Sequence, residues 1–308
     1  MRSILFACVG LVACGVETGE PLPDPATATP KERREFAVAY DVATREATRD
    51  DAVSLEAIRR GGGPRTLEGT VVGDDDPITG YEIMGADQRQ RVTPTTYFPV
   101  AARSRLAMTF PDGYSAECSG HLVGNKYALT AGHCVHSQDH GGWATSISVF
   151  PGQDGSLKPY GGGVAVNIRS TVGWVDDEDD DVDYALLTLD KKLGDTIGWF
   201  GLAYLGDDTL DNEPNVTLAG YPADKPWGTQ WSESGPIVDY SDDHLFYNID
   251  SYGGDSGAGL GIILNTNRHY VTGVHHGTGY YWLSEYNMAV RITSARYNQI
   301  EGWVQSGF

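Results

Sequence analysis

Short apolar runs, separated by glycine and proline turns, fill most of the chain. They lie at residues 106–110, 121–123, 127–129, 146–150, 164–168, 184–189, 216–218, 246–249, 259–264, 270–274 and 288–292. Many short strands at such spacing are typical of antiparallel barrels or a sandwich. After residue 81, only the C-terminal end has helical periodicity, with Tyr297, Ile300 and Val304 on one stripe and Thr293 or Ser294 as N-cap. The pattern predicts an all-β fold with a C-terminal helix.

The N-terminal third has fewer apolar positions. Phe36, Val38, Tyr40 and Val42 alternate with small or polar residues, which predicts a half-buried strand. Residues 48–63 have a short helical pattern that ends in three glycines, and residues 64–81 are loop-like. This unit has too few apolar residues to be stable alone. We expect it either to pack on the larger domain or to be removed as a propeptide.

The first residues have the pattern of an export signal. Arg2 precedes an apolar run over residues 4–13 that is too short to be a permanent membrane span. The run ends in Leu-Val-Ala-Cys at Cys14, as in a bacterial lipobox; the alternatives are a lipid anchor at Cys14 and an ordinary signal peptide. Residues 20–30 resemble a flexible spacer. We therefore predict a secreted or extracellular protein, or a membrane-anchored lipoprotein.

Charge and cysteine content narrow the partners and the compartment. The 22 basic and 42 acidic residues give a formal charge of −20, which argues against nucleic acid and anionic lipid as main partners. Cys118 and Cys134 form an even pair in the body of the chain, suited to one disulfide in an oxidising compartment. Such a bridge would hold His133 at a strand end.

Three residue types needed for nucleophilic catalysis occur beside predicted strands. Ser256 lies in a glycine-rich turn, His133 can accept a proton near neutral pH, and Asp183 opens an apolar strand, where it could orient the histidine. Just upstream, residues 176–181 are all acidic. They lack the ligand spacing of an EF-hand, so we favour a solvated loop over a calcium site.

The motifs that hold these residues are TAGHC at 130–134, DYAL at 183–186 and GGDSG at 253–257. In this order they resemble the chymotrypsin-like serine peptidases, and the chain looks most similar to bacterial glutamyl endopeptidases from residue 83 onward. The resemblance implies two antiparallel six-stranded β-barrels with a C-terminal helix, preceded by a small propeptide. The expected division is a signal peptide at 1–14, spacer and propeptide at 15–82, and a protease domain at 83–308, with barrels at about 95–195 and 196–292 and a helix at 293–305.

The resemblance also implies the roles of these residues. Ser256 would be the nucleophile, His133 the general base and acid, and Asp183 the orienting acid, with the N–H groups of Gly254 and Ser256 as oxyanion hole. The expected partners are polypeptide substrates and the chain's own propeptide, and no cofactor or metal is expected. An alternative from another class is a catalytically idle binding protein on the same scaffold.

The substrate pocket has two competing interpretations. His275 matches the histidine that binds the substrate carboxylate in glutamyl endopeptidases, with Ser251 and Thr278 as further pocket residues. Because adjacent strand residues point to opposite faces, His276 is expected to be structural or solvent-facing. Asp250 instead matches the acid that selects Arg or Lys in trypsin-like enzymes. We favour cleavage after Glu, and less strongly after Asp, with trypsin-like specificity as the alternative.

Asp255 differs from the Gln or Asn that glutamyl endopeptidases have beside the serine. In trypsin-like enzymes this aspartate pairs with an amino terminus made by activation. Residues 83–93 (IMGADQRQRVT) look like the mature start of the family, and cleavage after Glu82 would create it. We therefore expect a zymogen that activates itself.

Overall fold

The computed structural model describes residues 28–49, 83–264, 268–281 and 284–306. The predicted signal peptide, the lipobox cysteine, most of the spacer and the helical pattern after residue 49 lie outside these ranges. Within them, no helix is long and apolar enough to cross a membrane.

Strands dominate the described residues. They are β1 (Ala37–Asp41), β2 (Glu46–Arg49), β3 (Gln90–Arg91), β4 (Arg103–Thr109), β5 (Ser115–Leu122), β6 (Tyr127–Thr130), β7 (His136–Ser137), β8 (Gly142–Trp143), β9 (Ser146–Pro151), β10 (Gly163–Thr171), β11 (Ala185–Leu189), β12 (Gly201–Leu202), β13 (Asn215–Gly220), β14 (Trp231–Tyr240), β15 (His244–Tyr247), β16 (Gly259–Leu264), β17 (Arg268–Tyr281) and β18 (Ser284–Arg291). The helices are α1 (Pro30–Arg33), α2 (Val172–Asp177), α3 (Gly194–Ile197), α4 (Asp207–Leu210) and α5 (Ser294–Gln305), with 3-10 turns at Val100–Ala102 and Asp180–Val182.

The strands close into two barrels. The first follows the order β11-β6-β5-β4-β9-β10 and closes through a β10–β11 pairing. The second follows β17-β16-β13-β14-β15-β18 and closes through β17–β18. Closure removes free sheet edges and lets alternate residues fill each interior. The predicted pair of six-stranded antiparallel barrels is confirmed.

Each barrel has an apolar interior. Leu106, Leu122 and Ile147 are fully buried in the first cluster, and Leu260 and Tyr247 in the second. Strand β14 has no alternating apolar pattern, since most of its residues are half-buried or exposed, and the sequence did not predict it.

The C-terminal helix α5 packs on the first cluster. Thr293 is the N-cap, and its hydroxyl accepts a hydrogen bond from the N–H of Arg296 at 3.3 Å. The buried face contains Arg296, Ile300 and Trp303, whereas Tyr297 and Val304 are only partly buried. The predicted stripe is therefore rotated, because a polar contact made by Arg296 replaces part of the apolar face.

Two strands from the N-terminal segment extend the first sheet. Strand β1 pairs antiparallel with β10, from Ala37 opposite Thr171 to Asp41 opposite Asn167, and β2 pairs with β1. The alternating pattern that predicted a strand here thus belongs to an element packed on the larger domain.

Candidate active site

His133 and Asp183 meet at the edge of the first barrel. His133 lies just after β6, and Asp183 lies two residues before β11, which pairs with β6. The Nδ1 atom of His133 is 2.6 Å from Oδ2 of Asp183, and the backbone N–H of His133 donates to Oδ1 at 2.7 Å. Burial opposes ionisation of Asp183, but the charge and hydrogen bonds of His133, together with those of His276, lower its pKa. The carboxylate stays ionised and fixes the orientation of the imidazole.

Gly132 makes this approach possible. A Cβ atom at this position would lie 2.7 Å from Oδ1 of Asp183 and equally close to the ring of Trp174. Any side chain would therefore displace the carboxylate from His133. The Nε2 atom of His133 has no hydrogen-bond partner among the described residues, which leaves it open to a substrate or nucleophile.

Ser256 lies in the turn between β15 and β16 of the second barrel and is 2% exposed. Ser119, on β5 of the first barrel, holds this turn: its N–H donates to the carbonyl of Ser256 at 2.8 Å, and its hydroxyl donates to that of Gly254 at 2.8 Å. With these carbonyls fixed on the first barrel, the turn can present N–H groups on its other side. Gly254 has φ +102°, where a Cβ atom would lie 2.5 Å from the carbonyl oxygen of Tyr221.

The predicted disulfide joins Cys118 and Cys134. Cys134 follows His133 and Cys118 precedes Ser119, so the bridge lies between the histidine and the residue that holds the serine turn. The Sγ atom of Cys134 is 3.8 Å from the carbonyl oxygen of Ser256. The structure thus brings His133, Asp183 and the Ser256 turn to one point between the barrels.

His276 is a second histidine on Asp183. Its Nδ1 atom is 2.5 Å from Oδ2 of Asp183, and its Nε2 atom is 3.5 Å from a carboxylate oxygen of Asp180. Burial disfavours its charged form, but the two neighbouring carboxylates, Asp180 and the hydrogen-bonded Asp183, outweigh this and raise its pKa to about 10. His276 is fully buried, so the expectation that it could face solvent is wrong. His276 faces Asp183 of the first barrel, so it lies on the face of β17 opposite to His275, which contacts Tyr247 of β15.

His275 contacts a tyrosine instead. The hydroxyl of Tyr247 is 2.6 Å from Nδ1 of His275, and both side chains are fully buried. Burial raises the pKa of Tyr247 well above its usual value, so the phenol keeps its proton and donates it. Burial, then the charges of His276 and His133, lower the pKa of His275 to about 3. The result is a neutral imidazole with its proton on Nε2, an atom that has no partner within the described residues.

The other predicted pocket residues divide into two groups. The hydroxyl of Ser251 is buried and donates to the side-chain oxygen of Asn287 at 2.8 Å, while Thr278 is half-buried on β17. Asp250 is 1% exposed, and its two carboxylate oxygens accept hydrogen bonds from the backbone N–H groups of Met84 at 2.6 Å and Gln88 at 2.7 Å. Asp250 thus binds the segment just after residue 82.

Asp255 also faces that segment. Its carboxylate accepts the N–H of Tyr252 at 3.1 Å and lies 3.8 Å from the guanidinium of Arg89. Burial raises the pKa of Asp255 to about 7, against the opposing effects of these two partners. The sequence predicted that Asp255 would pair with a new amino terminus. In the uncut chain, the guanidinium of Arg89 lies beside Asp255 instead. Arg89, Tyr247 and Ser119 were not identified from the sequence, because nothing in their local pattern sets them apart from structural residues.

Two groups among the described residues have the composition of a metal site. The first contains Cys118, His133 and Cys134, but both sulfur atoms are in the disulfide. The second is His133, Asp183 and His276, with ligand atoms within 4.8 Å of one another. Oδ2 of Asp183 already contacts Nδ1 of both rings, so hydrogen bonds between these three side chains account for their close approach.

The chain is similar in sequence to known proteases. Residues 98–299 match the trypsin family model. The chain is 35% identical over 225 residues to the extracellular metalloprotease of Bacillus subtilis, covering 72% of this chain and 69% of that protein. It is 32% identical over 234 residues to the glutamyl endopeptidase of Bacillus licheniformis, covering 75% and 71% respectively.

Solved structures agree with the sequence comparison. A Glu endopeptidase solved in complex with MPD matches with a TM-score of 0.63 and 25% identity, over 73% of this chain and 100% of the other. The family match alone spans well over half of the chain, and it includes the histidine, aspartate and serine described above. The chain therefore belongs to the trypsin family and is a serine endopeptidase.

Proposed function

We propose that this chain is a secreted endopeptidase that cleaves peptide bonds after glutamate. Ser256 attacks the scissile carbonyl while Nε2 of His133 takes its proton and later returns it to the leaving amine. Asp183 keeps His133 in the productive tautomer. The N–H groups of Gly254 and Ser256 stabilise the oxyanion, where loss of one donor typically costs about 100- to 1000-fold in rate.

The observation that carries the glutamate preference is the pair formed by His275 and Tyr247. Because the Tyr247 hydroxyl occupies Nδ1, the imidazole offers Nε2–H as a donor. A carboxylate of the substrate would satisfy this buried polar group, whereas an apolar side chain would leave it unpaired. Such a site favours Glu, and Asp less strongly because its side chain is shorter. The similarity to the B. licheniformis glutamyl endopeptidase supports the same preference.

Asp250 carries the alternative, specificity for Arg or Lys. Its carboxylate is engaged by two backbone N–H groups of the chain itself. These bonds already compensate its negative charge, which weakens its attraction for a basic substrate side chain. We therefore retain Ser251 and Thr278 as pocket residues beside His275 and assign Asp250 to anchoring residues 84–88.

Maturation is the second part of the proposal. Cleavage after Glu82 would leave Ile83 as the new start, and the enzyme's own preference could make this cut. The contacts of Met84 and Gln88 with Asp250 show that the following residues are already docked on the second barrel. Secreted Ser256→Ala protein that still begins at Ile83, with no other protease present, would contradict self-activation.

The specificity is tested with a mixed peptide library and processed enzyme whose start has been verified. We expect cuts after Glu, loss of this preference in His275→Gln, and no change in the control His140→Gln, which alters a half-buried histidine paired with Asp112. Predominant cuts after Arg or Lys would overturn the role of His275. Labelling of Ser256 by a fluorophosphonate, with and without a chelator, separates a serine enzyme from an idle scaffold and from a metal-dependent protease.

A further inference from the structure

The segment 28–49 is built into the protease domain through its backbone. Strand β1 pairs with the second half of β10, where residues Arg169, Ser170 and Thr171 are buried. On this side of β10, strand β9 pairs only with Gly163 and Val164. Strand β1 therefore continues the sheet where β9 ends, and without it buried backbone groups of β10 would lose their partners.

Apolar contacts accompany this pairing. Ala37, Val38 and Tyr40 of β1 are each less than a tenth exposed, and the ring of Tyr40 stacks on Trp143 with centroids 5.1 Å apart. Ala37 and Tyr40 belong to the apolar cluster of the first barrel. The segment is thus part of the core of this barrel.

Glu35 contacts two other parts of the chain: the segment that follows Asp183 and the C-terminal helix α5. Its carboxylate accepts hydrogen bonds from the guanidinium of Arg296 at 2.7 Å and from the hydroxyl of Tyr184 at 3.1 Å. Arg296 is 2% exposed, so loss of Glu35 would leave a buried cation with fewer partners. Tyr184 follows Asp183 directly.

Arg34 binds the acidic run that precedes Asp183. Its guanidinium contacts carboxylates of Asp179 at 3.2 Å, of Asp181, and of Asp243 at 2.8 Å. The exposed Arg49 pairs with Asp176 at 2.5 Å. The acidic run is therefore more than the predicted solvated loop, because two basic residues of the N-terminal segment neutralise part of its charge.

We propose that residues 28–49 stay bound after the chain is cut at any bond between residues 50 and 83, including the bond after Glu82, so that the mature enzyme consists of two chains. The smaller chain extends the sheet of the first barrel and holds the loop that ends at Asp183. This proposal rests on the maturation cut proposed above. Whether the N-terminal fragment stays bound to the protease domain depends only on the contacts described here.

An exogenous cut tests this independently of the enzyme's own activity. In Ser256→Ala protein, residues 61–63 are replaced by the recognition sequence of a site-specific protease, and the cut protein is analysed by gel filtration and intact mass. We expect the N-terminal fragment to elute with the protease domain in native buffer and to separate in denaturant. A fragment that separates in native buffer overturns the proposal, whatever the substrate specificity.

Matched variants locate the binding energy. Glu35→Ala should accelerate dissociation of the fragment at least about 30-fold, because it removes one partner of a buried charged pair. Glu46→Ala, the same change at an exposed position of β2, should leave the rate unchanged. The circular dichroism of each uncut variant checks folding. Equal rates for the two variants would overturn the assignment of binding to Glu35.

Discussion

The contact of a second histidine with Asp183 leads to a specific prediction. His276 is held in its charged form by Asp180 and Asp183, so at neutral pH a buried cation lies beside Oδ2 of Asp183, the same oxygen that bonds His133. A second positive charge close to this cation would be repelled. His276→Gln keeps a hydrogen-bond donor for Asp183 and removes the charge, and we expect the acid limb of the pH profile of kcat/KM to move to higher pH.

The size of the shift follows from the distance between the rings. The ring centroids of His133 and His276 are 5.8 Å apart. With an effective dielectric constant of roughly 20 to 40, two unit charges at this distance repel by about 1.4 to 3 kcal/mol. Since one pKa unit corresponds to about 1.4 kcal/mol, the acid limb should move by about one to two pH units.

The assay is kcat/KM for a fluorogenic Glu peptide, measured across the acid and neutral range. His244→Gln is the matched control, because His244 is also buried beside His276, with ring centroids 6.5 Å apart, but burial lowers its pKa and keeps it neutral. The control should leave the limb in place. An unchanged or acid-shifted limb in His276→Gln would refute a charged His276.

Three further predictions concern the pocket, the serine turn and its neighbour. Tyr247→Phe removes the donor to Nδ1 of His275 and should lower kcat/KM for Glu peptides about tenfold while leaving Gln peptides unaffected, as steady-state kinetics will show. Ser119→Ala leaves the Gly254 carbonyl unpaired and should lower the free energy of unfolding by about 1 to 3 kcal/mol in urea; an unchanged midpoint would contradict this. Between pH 3.8 and about 7, the native state keeps the proton of Asp255 whereas the unfolded state loses it. The free energy of unfolding of the wild type should therefore fall by up to about 4 kcal/mol as the pH rises through this window. In Asp255→Asn, urea unfolding at several pH values should show a flatter dependence; an equal slope would exclude Asp255 as its source.

The sequence predicted those parts of the structure that depend on local pattern. Alternating apolar runs identified most barrel strands, and the position of Asp183 beside an apolar strand identified the carboxylate that binds His133. The presence of two cysteines in the body of the chain, 16 positions apart, was sufficient to predict the disulfide. Each of these features follows from residues near one another in the chain or from motifs of fixed order.

Contacts that depend on the tertiary fold could not be predicted in the same way. The opposite orientation of adjacent strand residues correctly placed His276 away from His275, but its contact with Asp183 joins residues 93 positions apart and has no local signature. The acidic run looked solvated because its partners, Arg34 and Arg49, are more than a hundred positions away. Asp250 matched a specificity residue in position, but its carboxylate binds backbone of a distant segment.

The bridge formed by Cys118 and Cys134 affects how the two barrels can move. The histidine comes from one barrel and the serine from the other, so thermal rocking of one barrel against the other would vary their separation. Cys134 is the neighbour of His133, and Cys118 is the neighbour of Ser119, which grips the serine turn at two carbonyls. The serine turn is therefore tethered to the same short covalent frame that carries the base. One disulfide and two hydrogen bonds therefore connect His133 to the serine turn, and these short links limit how far the separation of the two can change.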